Sequence, residues 1–305
     1  MSAPAADGPS FAQRLARAVA QRESQIVLGL DPDPARLWPA AAGAADRPGQ
    51  PADRAAAAVR EHCRLLIEAA GPACVAVKPQ LACFERLGAP GWAALADVVR
   101  LAQDAGLLVI ADGKRGDMSV SAAAYAQALA GTTPTLAGDV AGLGADAFTA
   151  NPLLGADALA PLIAAGAGVF VLVRTSNPGA ADLQDCVLDD GERLWERIAR
   201  LVARLGEPGP AGLSDVGAVI GATQPDKLER ARELMGRAVF LLPGIGAQGG
   251  RVELLAPAFA PGRAGGLVAA SRSIVNAHEE AGGEAPAAAL AEAERLREIA
   301  WSLSG

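Results

Sequence analysis

Short, nearly continuous apolar runs recur along the chain, and each is followed by a stretch whose apolar positions return every three or four residues. The runs are Gln25–Asp31 (QIVLGLD), Cys74–Pro79 (CVAVKP), Leu107–Asp112 (LLVIAD), Ala147–Pro152 (AFTANP), Val169–Arg174 (VFVLVR), Val216–Thr223 (VGAVIGAT), Ala238–Pro243 (AVFLLP) and Gly266–Ser271 (GLVAAS). They do not alternate apolar with polar, which predicts parallel strands covered on both faces. The intervening segments Ala55–Ala70, Trp92–Ala105 and Gly191–Leu205 read as helices, with Val59, Cys63 and Leu66 on one face and Leu194, Ile198 and Leu201 on another. Eight such strand–helix units over about 250 residues predict an α/β fold of the (β/α)₈ TIM-barrel type. A doubly wound open sheet is the alternative, because strand count alone does not show closure.

No linker divides the chain, so it reads as a single barrel domain over residues 1–305. Residues 1–24 are expected to add an N-terminal helical extension. Residues 282–305 are expected to add a C-terminal helix, since Ala287–Ser302 is rich in strong helix formers. Two long surface insertions are expected: Pro39–Asp53 after the first strand, and Pro178–Gly191, with four aspartates, after the fifth.

Composition narrows the function. Charged residues sum to −7, and aromatics are only 4% of the chain. With no basic run, that argues against a nucleic-acid partner and against an anionic membrane surface. Met1–Ser24 lacks an apolar segment of signal-peptide type, and no uninterrupted apolar stretch is long enough for a bilayer, so a cytoplasmic protein is expected. Cys63, Cys74, Cys83 and Cys186 form no CxxC pair, and there are only two histidines. A zinc site is therefore not expected, and the cysteines read as buried apolar residues in a reducing compartment. His62, on a helix, and His278, beyond the last strand, read as surface residues without a catalytic role. Tyr125 is read as a packing residue.

Of the 27 basic residues only Lys78, Lys114 and Lys227 are lysines. Barrel enzymes carry their working residues at the C-terminal ends of strands. Two of the lysines fall at such ends, together with Asp31, the run Asp112-Gly-Lys-Arg-Gly-Asp117, Thr175-Ser176-Asn177, the loop from Pro243 through Gln248, and Ser271-Arg272-Ser273. Asp112 and Lys114 are two apart, so they share a face if the strand continues. A lysine among carboxylates is held charged; the competing reading is a surface charge cluster on a loop. The sequence GIGAQGG, followed one strand later by Arg272, has the make-up of an oxyanion site, because glycines expose backbone N–H groups and arginine supplies a planar fork. A dinucleotide fingerprint would need an early βαβ unit, and these glycines come near the C-terminus. Asn151 and Thr223 also end strands, with no contact assigned.

ADGKRGDMSVSAAAYA, RTSNPGAADLQD, LLPGIGAQGG and VAASRSI, in this order and with Asp31 and Lys78 in place, resemble the orotidine 5′-phosphate decarboxylase family in its longer bacterial branch. The resemblance runs from Asp31 to about Ile274. It implies a decarboxylase that converts orotidine 5′-monophosphate to uridine 5′-monophosphate and carbon dioxide without a cofactor or a metal. It implies that Asp112, Lys114 and Asp117 are catalytic, with Asp117 supplied by the neighbouring subunit of a homodimer. It also implies that Asp31 and Lys78 contact the ribose hydroxyls, that Ser176 bonds the pyrimidine, and that Gln248 and Arg272 grip the phosphate in a loop opened by Pro243. Two positions depart from the family pattern. Gly113 stands where alanine is usual, which should loosen the strand end slightly. Ser121 stands where threonine is expected and keeps a hydroxyl for a contact across the dimer. Two other readings are weighed: a Mg²⁺-dependent sugar-phosphate decarboxylase or synthase of the same suprafamily, and a non-catalytic binder of nucleotide phosphates.

Overall fold

The computed structural model describes residues 8–246 and 248–305. Eight parallel strands close into a barrel: β1 Ile26–Leu30, β2 Ala76–Pro79, β3 Leu108–Arg115, β4 Ala147–Ala150, β5 Gly168–Arg174, β6 Ser214–Ile220, β7 Ala238–Leu242 and β8 Gly266–Ala270. Closure is made by β1 and β8, with Ile26 opposite Val268 and Leu28 opposite Ala270. That pairing removes the open-sheet alternative.

Nearly every strand position is buried, yet a period of two still sorts the side chains. Ile26, Leu28, Phe148, Phe240 and Leu242 join the core between sheet and helices, whereas Val27, Ile110, Ala147, Val239 and Leu241 fill the barrel interior. An unbroken apolar run thus satisfies two cores, and this is why it reads as a parallel strand.

The helical layer comprises α1 Phe11–Arg22, α2 Pro51–Ala70, α3 Ala89–Asp104, α4 Ser119–Leu129, α5 Ala156–Ile163, α6 Leu194–Leu205, α7 Pro225–Leu234 and α8 Ala285–Leu303, besides several shorter turns. The seventh unit departs from the expected pattern. Among the described residues between β7 and β8 the chain forms only short 3₁₀ turns, Val252–Leu254, Ala256–Phe259 and Arg263–Gly265. Pro257, Pro261, Gly262 and Gly265 explain this, since proline and glycine both oppose a continuous helix there. A hairpin that the sequence pattern does not announce pairs Thr132–Thr135 with Gly138–Ala141 beyond the end of α4.

Both terminal extensions have work in the fold. From α1, Phe11 enters the lower end of the barrel and meets Phe170 edge-on at 5.8 Å. Gly168 makes room for it, since a Cβ there would stand 2.3 Å from the Phe11 ring. The Ala12 N–H donates to Asp215 Oδ1 at 2.7 Å, which caps the start of the helix. Residues 1–7 of the expected extension lie outside the described residues. The C-terminal helix α8 buries Ala289, Ala293, Leu296 and Ala300 along one stripe, and Ser304 just beyond it accepts a hydrogen bond from Gln25 at 2.6 Å.

Two expectations about single residues are corrected. His62 is buried, because the segment after β1 folds Trp38 onto α2: the Trp38 N–H donates to His62 Nδ1 at 3.1 Å and the two rings meet edge-on. Burial pushes its imidazole down to about 4, so it is neutral at pH 7. Of the cysteines, Cys63 and Cys74 are buried as expected, but Cys83 is half-buried and Cys186 is exposed in the loop after β5.

Candidate active site

The polar side chains of the barrel mouth sit one step above the apolar interior on the same strand faces. Val27 leads to Gly29 and Asp31, Ala76 to Lys78 and Gln80, Ile110 to Asp112 and Lys114, and Ala147 to Thr149. Inward parity alone therefore delivers these groups to one cavity of about 400 Å³ at the C-terminal ends of the strands. Thr175, Ser176 and Asn177 after β5, Pro243 to Ile245 and Gln248 after β7, and Ser271 and Arg272 after β8 complete its wall.

Asp112 is the centre of the charged set. Its Oδ2 accepts from Lys78 Nζ at 2.7 Å and its Oδ1 from Lys114 Nζ at 2.6 Å. Gln80 Nε2 donates to Oδ2 at 3.2 Å and the Thr149 hydroxyl to Oδ1 at 2.9 Å. Lys78 Nζ also lies 3.9 Å from Asp31 Oδ1. Burial of Asp112 opposes its ionisation, but Lys78 and then Lys114 outweigh it and hold the carboxyl well below its ordinary range. Burial likewise pulls Lys78 down, and Asp112 with Asp31 more than compensates, so its ammonium is held above the ordinary value. Lys114 is less enclosed, with 44% of its side chain exposed toward the cavity. Of the two ammonium groups it is the one more open to the cavity.

Lys114 also has an unusual backbone, with φ at +48°, outside the range most L-residues adopt. The strand, expected to end at Asp112, continues through Lys114 to Arg115, with a register shift between Ala111 and Arg115. At Gly113 a Cβ would approach Leu81 Cδ1 to 2.7 Å, so the buried Leu81 occupies the room that an alanine methyl would need.

Opposite this cluster, Ser176 Oγ donates to Gln248 Oε1 at 2.7 Å, which joins the loop after β5 to the loop after β7. Gly244 and Gly246 have φ of +103° and +69°, and the Gly250 N–H returns to the Gly244 carbonyl at 3.0 Å. The loop is a tight glycine turn beside the Arg272 fork, the geometry an oxyanion site needs. Ala247 within it lies outside the described residues.

The loop after β5 is anchored from below. Arg174 donates twice to Asp185, from Nε at 3.0 Å and from Nη2 at 2.9 Å, and Lys227 Nζ adds a bond at 2.7 Å. The Arg174 bond, together with that of Lys227, brings the Asp185 carboxyl down to about 2. Gln184 Oε1 accepts the Thr175 N–H at 2.8 Å, so Thr175 and Ser176 are tied to the same loop.

Asp31, Lys78, Asp112, Lys114, Ser176, Pro243, Gln248 and Arg272 all line the cavity. Asp117 and Ser121 do not. Asp117 turns away after β3, and its Oδ1 accepts the Met118 N–H at 2.7 Å; Ser121 is exposed on α4. Among the described residues of this chain, Lys114 is therefore paired with Asp112 alone. Asn151 folds back on the Leu153 N–H at 3.0 Å and takes no place in the lining. Gln80 and Thr149 join the site without any charge pattern to mark them in the sequence; their inward parity above Ala76 and Ala147 is the signal that locates them. Among the described residues, no three His, Cys, Asp or Glu side chains cluster in a metal-binding arrangement, and no helix is long and apolar enough to cross a membrane.

Residues 24–285 match the family described as orotidine 5′-phosphate decarboxylase / HUMPS. The chain belongs to the orotidine 5′-phosphate decarboxylase / HUMPS family. A protein of Deinococcus radiodurans named orotidine 5′-phosphate decarboxylase is 41% identical over 295 residues, covering 94% of this chain and 97% of its own. The structure of Leishmania donovani OMP decarboxylase superposes with a TM-score of 0.72 at 33% identity, covering 96% of this chain and 99% of its own. A putative orotidine 5′-phosphate decarboxylase from Streptomyces avermitilis gives a TM-score of 0.77 at 30% identity, covering 100% of this chain and 99% of its own. In the frame of this decarboxylase family, the cavity at the barrel mouth is the candidate active site.

Proposed function

We propose that this chain decarboxylates orotidine 5′-monophosphate to uridine 5′-monophosphate and carbon dioxide, the last step of de novo pyrimidine nucleotide synthesis. One observation carries the reading: a single buried carboxylate, Asp112, holds two ammonium groups at the cavity wall, and one of them, Lys114, stays open to the cavity. Family membership, with curated relatives that bear the decarboxylase name over nearly the whole chain, supports it and favours it over the sugar-phosphate alternative.

The chemistry follows from charge placement. Loss of the substrate carboxylate leaves an electron pair at C6 of the pyrimidine, in the ring plane and orthogonal to the π system. Ring carbonyls delocalise it poorly. A fixed ammonium beside C6 stabilises that developing charge, then transfers its proton to C6. Lys114 takes this role, oriented by Asp112, and the step calls for no cofactor. Lys78 keeps Asp112 ionised, and with Asp31 it faces the ribose hydroxyls. Ser176 bonds the pyrimidine, while Gln248, Arg272 and the loop opened by Pro243 hold the phosphate. Binding energy from the phosphate, remote from the bond that breaks, organises the mouth around the reacting carbon.

The functional unit in this reading is a homodimer in which Asp117 completes the partner's site and Ser121 reaches across. Asp117 lies outside its own chain's cavity, and Met118 and Val120 beside it are 66% and 84% exposed. Leu153 and Leu154, on the loop before the neighbouring α5, are also exposed. These apolar groups share the mouth side of the barrel. The whole chain acts as one domain, which the docking of α1 and α8 onto the barrel supports. Four free cysteines support a reducing, cytoplasmic setting.

The assay is loss of orotidine monophosphate absorbance with purified protein, with and without EDTA. Turnover unaffected by chelation is the expected result. No turnover of orotidine monophosphate together with Mg²⁺-dependent turnover of a sugar phosphate would favour the sugar-phosphate branch, and nucleotide binding without turnover of either would favour a binder.

A further inference from the structure

We infer that Thr149 is a positioning residue for Lys114, acting through Asp112 and the bulge in β3; this rests on the decarboxylase reading of the site. The pairing of β3 with β4 places Ala111 opposite Phe148 and Arg115 opposite Ala150. Three residues, Asp112, Gly113 and Lys114, therefore face the single residue Thr149. A bulge of this kind re-aims side chains and leaves backbone groups without ladder partners. The Lys114 N–H is such a group, and Thr149 Oγ1 accepts it at 2.8 Å.

The same hydroxyl donates its one proton to Asp112 Oδ1 at 2.9 Å, and that oxygen accepts Lys114 Nζ at 2.6 Å. The bonds close a ring: Lys114 N–H to Thr149, Thr149 to Asp112, and the Lys114 ammonium to Asp112. Both ends of Lys114 are thereby fixed to one carboxylate. The ring holds a non-glycine residue at φ +48°, a conformation that persists only where the surroundings over-determine it. Thr149 is 1% exposed and sits between the fully buried Phe148 and Ala150, so water has little room to replace its hydroxyl.

Removing the hydroxyl would leave the Lys114 N–H unpaired and take one donor from Asp112. The backbone can then relax out of the left-handed region, and the ammonium leaves the line to the reacting carbon. The ground-state contacts to ribose and phosphate come from other residues, so binding should be spared.

The test compares Thr149→Val, which keeps the shape, and Thr149→Ser, which keeps the hydroxyl, with wild type. The readouts are kcat and KM for orotidine monophosphate, affinity for uridine monophosphate, and thermal unfolding. We expect Thr149→Val to lower kcat roughly ten- to a hundredfold, with KM and product affinity within about threefold. Thr149→Ser should stay within about threefold of wild type in kcat. Wild-type kcat in Thr149→Val, or a Thr149→Ser variant as damaged as Thr149→Val, would overturn the inference. So would equal losses in kcat, product affinity and melting temperature, which mark a purely structural role. Should Thr149→Val not fold, Thr149→Ala removes the same hydroxyl and is read by the same criteria. A wild-type protein that does not decarboxylate the substrate would overturn the functional reading itself, a result distinct from any of these.

Discussion

Lys78 and Lys114 are bound to opposite oxygens of one carboxylate, at 2.7 Å and 2.6 Å from Asp112. Two ammonium groups brought to one site repel each other, and Lys78 is buried. Asp112 binds both and, with Asp31 beside Lys78, offsets their charge. Asp112→Asn keeps the shape and removes the offset, which leaves a buried cation without its nearest counter-charge. Breaking such a pair costs about 3–5 kcal/mol. Urea unfolding at neutral pH should show a loss of that order, together with loss of turnover. The pH dependence has a definite sign. The Asp112 carboxyl is held down by Lys78 and Lys114 against the upward push of burial, so its contribution is complete above its ordinary 3.8 and is lost as pH falls below it. The difference between wild type and Asp112→Asn should be flat near neutrality and should shrink in acid. A difference that grows on acidification would contradict the assignment.

Asp185 is tied to Arg174 and Lys227 beneath the loop that carries Thr175 and Ser176. Asp185→Asn keeps the shape and drops the charge. The loop loosens, and the pyrimidine contact proposed for Ser176 should loosen with it. KM for orotidine monophosphate should rise about tenfold, equivalent to about 1.4 kcal/mol of binding. Steady-state kinetics check this; an unchanged KM would mean that the ion cluster holds only the outer loop.

Much of the site is legible in the order of residues along the chain, because a parallel strand presents alternate residues to the barrel interior. Asp31, Lys78, Asp112 and Lys114 follow apolar inward residues by two or four positions, so strand ends and parity suffice to gather them. Thr149 and Gln80 obey the same parity, but a lone threonine or glutamine at a strand end carries no charge pattern to distinguish it. The β3 bulge and the positive φ of Lys114 are tertiary outcomes of pairing with β4 and leave no local mark. A histidine on an amphipathic helix reads as polar, which is why the sequence points His62 to the surface. Its position three residues after Val59 puts it on the buried face, where Trp38 covers it. The turns that replace a helix before β8 are foreshadowed by Pro257 and Pro261, which a count of strand–helix units ignores.

Arg272→Ala separates phosphate binding from structure. Arg272 is exposed at the mouth, and deleting a hydrogen bond to a charged group costs about 1.5–3 kcal/mol. The variant should show a deficit of that size in kcat/KM on orotidine monophosphate and scarcely change on the dephosphorylated nucleoside. Equal deficits on both substrates would show that Arg272 supports the loop and not the phosphate.

The proposed sharing of the site between two subunits predicts complementation. Lys114→Ala and Asp117→Ala homodimers should each be nearly inactive. A mixed dimer carries both defects in one site and none in the other. Random reassociation of equal amounts makes about half the dimers mixed, so activity should return to roughly a quarter of wild type by C₂ symmetry. Dissociating the two variants together, reassociating them and assaying the mixture reads this directly. No recovery would place each site within one chain.

In the proposed mechanism, catalysis rests on the Lys114 ammonium, which Asp112 holds and which would stabilise the charge formed at C6 and supply the proton. The most direct measurement is single-turnover decarboxylation by Lys114→Ala beside wild type, with uridine monophosphate affinity measured on the same samples. The rate should fall by about a thousandfold or more, several kcal/mol of transition-state stabilisation, while product binding stays measurable. A variant that retains activity within tenfold of wild type would contradict that role.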